Sequence, residues 1–218
     1  MLTQHQIETF ETKGLIRLDG FLEQDKVAAA QKFIFGLAEK EGFWRDGVWQ
    51  VDKISDRPKF IKPMHKAKLD TLMTDRLLTV INMLVDGQAL DEVLLRPPAL
   101  LFTSPQKTEW AVPASAWHLD TPRLPGAGLP GVQVFTFLDT VIPQGGGTLV
   151  VAGSHRLLNT GKFISSQNTK KMLKREPYFR NLLSKDFSDR NRFLTTTEKV
   201  DDTELLGARH KTCAYMGR

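Results

Sequence analysis

The hydrophobic pattern at the start of the chain predicts a short helix followed by a strand. Thr3 and Gln6 have the spacing of a capping box, which marks the first turn of a helix. Gly14 follows the last hydrophobic position of this segment and predicts the end of the helix. Residues 15–21 are then expected to form a short strand, because aliphatic side chains two positions apart fall on one face.

Hydrophobic positions recur at helical intervals in two longer stretches. Residues 23–41 predict a second helix, and residues 43–51 predict a turn and a strand. A further helical stripe begins at residue 69 and ends near Gly87. Residues 1–90 are therefore expected to form a mainly helical part. Such stripes are far more often core contacts than cofactor sites. The positions that define the two stripes are Val27, Ala30, Ile34, Leu37, Leu69, Leu72, Met73, Val80, Ile81 and Leu84.

Short hydrophobic runs separated by proline and glycine replace the helical spacing after Gly87. The chain is expected to form one domain. It has strands at residues 91–160, followed by a helical insertion with an atypical tail at residues 161–218. Helices followed by strands predict an α+β fold in which the strands close as a jelly roll. The hydrophobic runs that predict strands lie at 93–95, 100–102, 132–138 and 148–151.

The formal net charge of +5 is unevenly distributed along the chain. Residues 156–192 contain ten lysines and arginines against three acidic residues, an excess of seven positive charges. Residues 165–183, within this basic segment, predict a helix inserted between late strands. The segment would attract phosphates or an anionic substrate, although a solvated helix face explains it more simply. Aromatic residues are sparse there, so nucleic-acid binding is only a minor alternative.

The cysteine content and the hydropathy of the chain indicate a cytoplasmic protein. Cys213 is the single cysteine, which excludes a disulfide framework and fits a reducing compartment. No hydrophobic run reaches the length needed to cross a bilayer, and the N-terminal residues do not have the pattern of a secretory signal. A membrane partner is therefore not expected.

A His-x-Asp pair lies at residues 117–120, which read Trp-His-Leu-Asp. Strand side chains repeat every two residues, so His118 and Asp120 can reach one cation from the same side of the backbone. A distant histidine would complete the two-histidine, one-carboxylate set that binds Fe(II) and leaves positions open for a co-substrate and O₂. The tripeptide alone is a weak signal, because a surface strand with two polar residues has the same pattern.

The residues around this pair resemble the phytanoyl-CoA dioxygenase-like family of Fe(II)- and 2-oxoglutarate-dependent oxygenases. The resemblance consists of W-H-x-D at 117–120, F-x-F-L-D at 135–139 and G-G-G-T-L-V-V-x-G-S-H-R at 145–156. Residues 3–22 also resemble the opening helix, strand and loop of that family. The similarity extends from about residue 3 to 160 and is poor in the last quarter of the chain.

The resemblance implies a double-stranded β-helix, also called a jelly roll, with flanking N-terminal helices. It further implies that His118 and Asp120 are Fe(II) ligands and that 2-oxoglutarate and O₂ are co-substrates. Related halogenases lack the carboxylate, so Asp120 implies hydroxylation or a related oxidation of a small organic or acyl substrate. The substrate itself is not identified by the sequence.

The third iron ligand remains open between two histidines of this chain. His155 follows His118 by 37 residues and is a candidate by spacing alone. The resemblance instead makes His155 a structural residue, because the distal histidine of the family comes after the helical insertion. His210 follows His118 by 92 residues, near the usual separation, yet its surroundings do not resemble the distal strand. The sequence therefore predicts a tail that is truncated or altered, or a third ligand absent from this chain.

Candidates for binding 2-oxoglutarate are less specific than the metal pair. Gln133 and Thr148 are polar positions on predicted strands near the metal motif, although ordinary strand polarity explains them equally well. Arg156, Arg209 and Arg218 are basic residues that could pair with the far carboxylate, but none lies in a matching motif. These gaps leave a second interpretation open: a catalytically impaired jelly-roll protein that binds a small acid or a partner without turnover.

Overall fold

Part of the chain is described by a computed structural model, and its elements mix helix and strand. The described residues are 1–50, 69–85, 98, 100, 117–119, 132–141, 148–152, 155, 162–175, 180–186, 188–190 and the backbone of 213–217. The helices are α1 (Gln4–Lys13), α2 (Gln24–Lys40), α3 (Asp75–Leu84) and α4 (Ser166–Arg175). The strands are β1 (Leu15–Asp19), β2 (Trp44–Arg45), β3 (Val48–Trp49), β4 (Gln133–Thr136) and β5 (Cys213–Gly217).

Helix α1 begins and ends where its sequence predicts. The Thr3 hydroxyl accepts from the Gln6 backbone N–H at 3.2 Å, and the Gln6 side chain accepts from the Thr3 N–H at 2.9 Å. Both bonds of the capping box are therefore present, and two N–H groups at the helix start are satisfied. Gly14 ends the helix in the left-handed region at φ 76°, with its N–H donating to the Phe10 carbonyl at 2.8 Å.

Loss of this cap is expected to destabilise the protein by about 1 kcal/mol. Thr3→Ala removes the acceptor for the Gln6 N–H and leaves that donor to water alone. The matched control is Thr9→Ala, because the Thr9 hydroxyl only donates back to the His5 carbonyl within the same helix. Chemical denaturation should show a lower free energy of unfolding for Thr3→Ala and no loss for Thr9→Ala. Equal losses for the two variants would contradict the capping assignment.

Three strands that are far apart in sequence form one antiparallel sheet in the order β1-β5-β4. Met216 in β5 lies opposite Ile16 in β1 on one side and opposite Val134 in β4 on the other. The sheet therefore joins the N-terminal strand to the middle of the chain through residues of the tail. This register places Gln133, at the start of β4, opposite Gly217.

A two-stranded hairpin follows α2 and packs on it through aromatic rings. Asp46 and Gly47 connect β2 to β3 with positive φ angles of 52° and 78°, as a type I′ turn requires. The ring of Phe35 in α2 stacks on Trp44 at 4.8 Å between centroids, and Trp44 meets Trp49 at 4.9 Å. The turn and strand predicted for residues 43–51 are thus observed as a hairpin.

The main core lies between α1, α2, α3 and strand β1. Phe10, only 1% exposed, belongs to this core, and Val134 and Leu138 pack against it from the β4 segment. The N-terminal helices therefore cover one side of the sheet that carries β4. Other buried members of the core are Ile16, Leu18, Val27, Ala30, Ile34, Ala38, Leu72, Leu77, Val80, Ile81 and Leu84.

The helical stripe that begins at residue 69 is divided into two helices in the structure. A short 3-10 helix covers Asp70–Leu72, and α3 starts anew after Thr74. The backbone of Thr74 is extended, and its hydroxyl accepts from the Leu77 N–H at 3.2 Å. Thr74 is therefore the N-cap of a new helix, which the hydrophobic spacing alone does not show.

The helix predicted for residues 165–183 is observed over part of that range. Helix α4 ends at Arg175, and a separate 3-10 helix covers Asn181–Leu183. Arg180, just before this 3-10 helix, is helical, and residues 176–179 lie outside the described residues. Leu173 of α4 is buried and Met172 is half-buried, whereas Phe179 lies outside the described residues.

The strands predicted for the middle of the chain are observed only in part. Residues 132–138 contain β4, which is half-buried rather than fully buried. Residues 148–151 are half-buried but form no strand within the described part of the chain. The run at 93–95 lies outside the described residues, and of the run at 100–102 only Leu100 is described. Across the helices that the structure describes, none has the length and apolar character that a bilayer crossing requires.

Candidate functional site

The described part of the His-x-Asp motif exposes an imidazole. Residues 117–119 alternate in exposure: Trp117 and Leu119 are half-buried, whereas His118 between them is exposed. Alternation of this kind is typical of an extended segment whose successive side chains point to opposite faces. The side chain of His118 is therefore accessible to an ion or a small molecule. Asp120, the second predicted ligand, lies outside the described residues.

A serine hydroxyl holds the backbone of this segment in place. Ser166 Oγ lies 3.1 Å from the backbone nitrogen of Leu119 and 3.1 Å from its carbonyl oxygen. One hydroxyl can accept the first bond and donate the second, because it carries both a proton and lone pairs. Ser166 is the first residue of α4, so the motif is tied directly to the start of the basic helix.

Helix α4 presents positive charge along its exposed side. Lys171, Lys174 and Arg175 are exposed, and Arg175 lies nine residues beyond Ser166, or about 14 Å along a helix at 1.5 Å per residue. Two acidic residues follow in the described chain and make local contacts with serines: Asp186 accepts from the Ser188 N–H and Asp189 from the Ser184 hydroxyl. The helix whose first residue bonds the motif therefore carries exposed positive charge in its later turns.

His155 contacts the end of α1 rather than the described part of the metal motif. Its Nε2 atom lies 3.0 Å from the carbonyl oxygen of Glu11. That carbonyl belongs to the last turn of α1, whose oxygens have no partner inside the helix. The Nδ1 atom is buried against Gly14, where a Cβ atom would come within 2.9 Å of Cγ and Cε1 of the ring. The structure thus gives His155 a role in holding α1.

The co-substrate candidates are only partly described. Gln133 is exposed at the start of β4, and Thr148 is half-buried. Arg156, Arg209 and Arg218 lie outside the described residues, as does His210, which precedes β5 by a few residues.

No set of three metal-binding side chains is found among the residues that the structure describes. Asp120 and His210 lie outside those residues. Of the two ligands predicted at the motif, His118 is exposed and adjoins the Leu119 backbone that Ser166 bonds, whereas Asp120 lies outside the described residues. An imidazole is a nitrogen donor of the kind that Fe(II) accepts.

Sequence reasoning did not identify Ser166 as a residue of the site. Its partner Leu119 is 47 residues away, and serine is a common residue at the start of helices. A hydroxyl that bonds across the fold has the same local sequence as one that caps its own helix. The sequence therefore contains no signal that separates the two roles.

Comparison with known proteins identified no relative: no family model, no curated protein and no solved structure matches this chain.

Proposed function

We propose that this chain is a non-haem Fe(II)- and 2-oxoglutarate-dependent dioxygenase that hydroxylates a small organic or acyl substrate. The observation that carries the proposal is the combined motif over residues 117–156, which resembles the phytanoyl-CoA dioxygenase-like family. An α+β fold with a jelly roll belongs to the same proposal. The antiparallel β1-β5-β4 sheet, covered by N-terminal helices, is compatible with it.

His118 and Asp120 would hold the iron in this proposal. Imidazole and carboxylate together suit Fe(II), and two ligands on one short extended segment leave the opposite side of the ion open. The bound iron would supply the activation of O₂ that protein side chains cannot perform. In the overall reaction, one oxygen atom of O₂ enters the substrate C–H bond, the other enters succinate, and 2-oxoglutarate loses CO₂.

Residues of this chain would bind and orient the organic reactants. Gln133, Thr148 and Arg156 are the candidates for holding 2-oxoglutarate, because a dicarboxylate needs hydrogen-bond donors and a cation. The exposed positive charge of α4 supports an anionic substrate, since its first residue bonds the motif and its lysines would attract negative charge. The single cysteine, Cys213, supports a reducing, cytoplasmic location.

The proposal predicts that the protein forms succinate in a reaction that depends on Fe(II), 2-oxoglutarate and O₂. Protein purified without oxygen is mixed with Fe(II) and 2-oxoglutarate. The weak visible charge-transfer band from the metal to 2-oxoglutarate is then recorded. Oxygen is then admitted and succinate is measured. The expected result is a band that requires both additions, followed by succinate formation.

A second function would be indicated by a different outcome of the same experiment. The last residues of the chain do not resemble the distal strand of the family, which favours a jelly-roll protein that lacks a complete metal triad. Such a protein would bind 2-oxoglutarate or another small acid without an iron-dependent band and without succinate. Absence of both the band and succinate would therefore overturn the dioxygenase proposal.

A further inference from the structure

We infer that the Ser166 hydroxyl is a positioning group for the His118–Asp120 pair, an inference that rests on the proposed function. The two hydrogen bonds of Ser166 go to the N–H and the C=O of Leu119, the residue between the two proposed ligands. An N–H and a C=O of one residue point to the same side when that residue is extended. One hydroxyl can therefore hold both groups at once.

The two bonds fix the two peptide planes that lead to the proposed ligands. The Leu119 N–H lies in the planar unit that contains the Cα atom of His118, and the Leu119 C=O lies in the unit that contains the Cα atom of Asp120. Rotation of either plane would lengthen one of the hydrogen bonds to Ser166. The clamp thus restrains the backbone of Leu119, from which the chain continues to each proposed ligand.

Ser166 is itself held by buried neighbours. The N–H and the hydroxyl of Thr169 both donate to the Ser165 carbonyl at 3.0 Å, which fixes the first turn of α4. Ile164, just before this turn, is 2% exposed, and Leu173 in the following turns is also buried. The hydroxyl therefore projects from an anchored helix start. Because the serine side chain is short, the position of its hydroxyl is restricted once the backbone is fixed.

Positioning of this kind affects metal affinity without direct contact with the metal. Two ligands that must be ordered on binding lose conformational freedom, whereas ligands already held in place do not. Removal of groups that orient metal ligands typically lowers metal affinity or activity by about 10–100-fold. Ser166 belongs to this class, because it orients the backbone of both ligands and touches neither side chain in its bonds to Leu119.

The test is a Co(II) titration of the full chain, because Co(II) takes the place of Fe(II), is stable in air and has visible absorption bands that report its ligands. Ser166→Thr keeps the hydroxyl. Ser166→Val removes it, and the valine side chain has nearly the same shape as that of threonine. Ser166→Val should weaken Co(II) binding by about 10–100-fold and change the visible bands, whereas Ser166→Thr should match the original protein. The matched control is Thr79→Val, because the Thr79 hydroxyl donates only to the Asp75 carbonyl of its own helix.

His118→Ala in the same titration separates the two proposals. If His118→Ala binds Co(II) as the original protein does, the proposed metal site is wrong and the inference fails with it. If His118→Ala loses binding while Ser166→Val and Ser166→Thr bind equally, only the positioning role is overturned. All titrations are made at a temperature well below the thermal unfolding midpoint of each variant, which is measured by circular dichroism. Ser166→Ala replaces Ser166→Val if the valine variant does not fold, with the same expected loss and the same overturning result.

Discussion

Replacing His118 with alanine is expected to abolish succinate formation and to weaken binding of Fe(II) by more than about 100-fold. Removal of groups that only orient metal ligands costs about 10–100-fold, and a direct ligand contributes more than its supports. The exposed position of His118 makes the variant informative, because removal of an exposed side chain leaves the hydrophobic core unchanged. The measurements are succinate formation after admission of O₂ and a Co(II) titration in place of Fe(II).

His5→Ala is the matched control for this variant. His5 is an exposed histidine near the start of α1, so its removal changes the histidine content without changing the motif. The control should retain the metal affinity and succinate formation of the original protein. Both variants should keep its unfolding midpoint. A His118→Ala protein that still forms succinate would show that the metal assignment is wrong.

Elements with strong local signals were predicted well from the sequence. Thr3, Gln6 and Gly14 define α1 at both ends through contacts within a few residues, and the structure contains each of those contacts. Residues 43–51 predict a turn and a strand, and the structure has a hairpin at 44–49 whose Asp46-Gly47 pair tolerates the positive φ angles of a tight turn. In these places one short segment contains all the physical information that determines its conformation.

Element boundaries inside hydrophobic stripes were predicted less well. Hydrophobic spacing continues through Thr74, and the same spacing suits one long helix or two short ones. The hydroxyl of Thr74 decides between them by capping α3, a contact that competes with continuation of the helix.

Contacts between distant parts of the chain were not predictable from the sequence. Residues 213–217 were expected to form an atypical tail, yet they are the central strand of the sheet, between β1 and β4. Strand pairing depends on which partners the fold brings together, and a short segment contains little information about register. The bond between Ser166 and Leu119 is nonlocal in the same way. The candidate site was thus predicted as a motif, without the contact that holds it.

Replacing Gly14 with alanine is expected to lower the free energy of unfolding by about 2–5 kcal/mol. The left-handed φ of 76° costs a residue with a Cβ atom about 1–2 kcal/mol. Overpacking adds about 1–3 kcal/mol, because the new Cβ atom would come within 2.9 Å of Cγ and Cε1 of His155. Chemical denaturation of the full chain measures the sum.

Gly20 provides a control that separates the two contributions. It has a similar φ of 60°, but a Cβ atom at this position would meet nothing within 4 Å. Gly20→Ala should therefore cost only the backbone term of about 1–2 kcal/mol. In a His155→Ala background the overpacking term should disappear, and Gly14→Ala should then cost no more than Gly20→Ala. This double-mutant cycle isolates the contact between His155 and Gly14.

The outcome of the cycle also bears on the third iron ligand. If His155 packs on Gly14 and binds the Glu11 carbonyl, then His155→Ala should reduce stability and leave Co(II) affinity unchanged. A Gly14→Ala cost that stays high in the His155→Ala background would show that another group fills the space beside Gly14. A collapse of Co(II) affinity in His155→Ala would instead identify His155 as the third ligand.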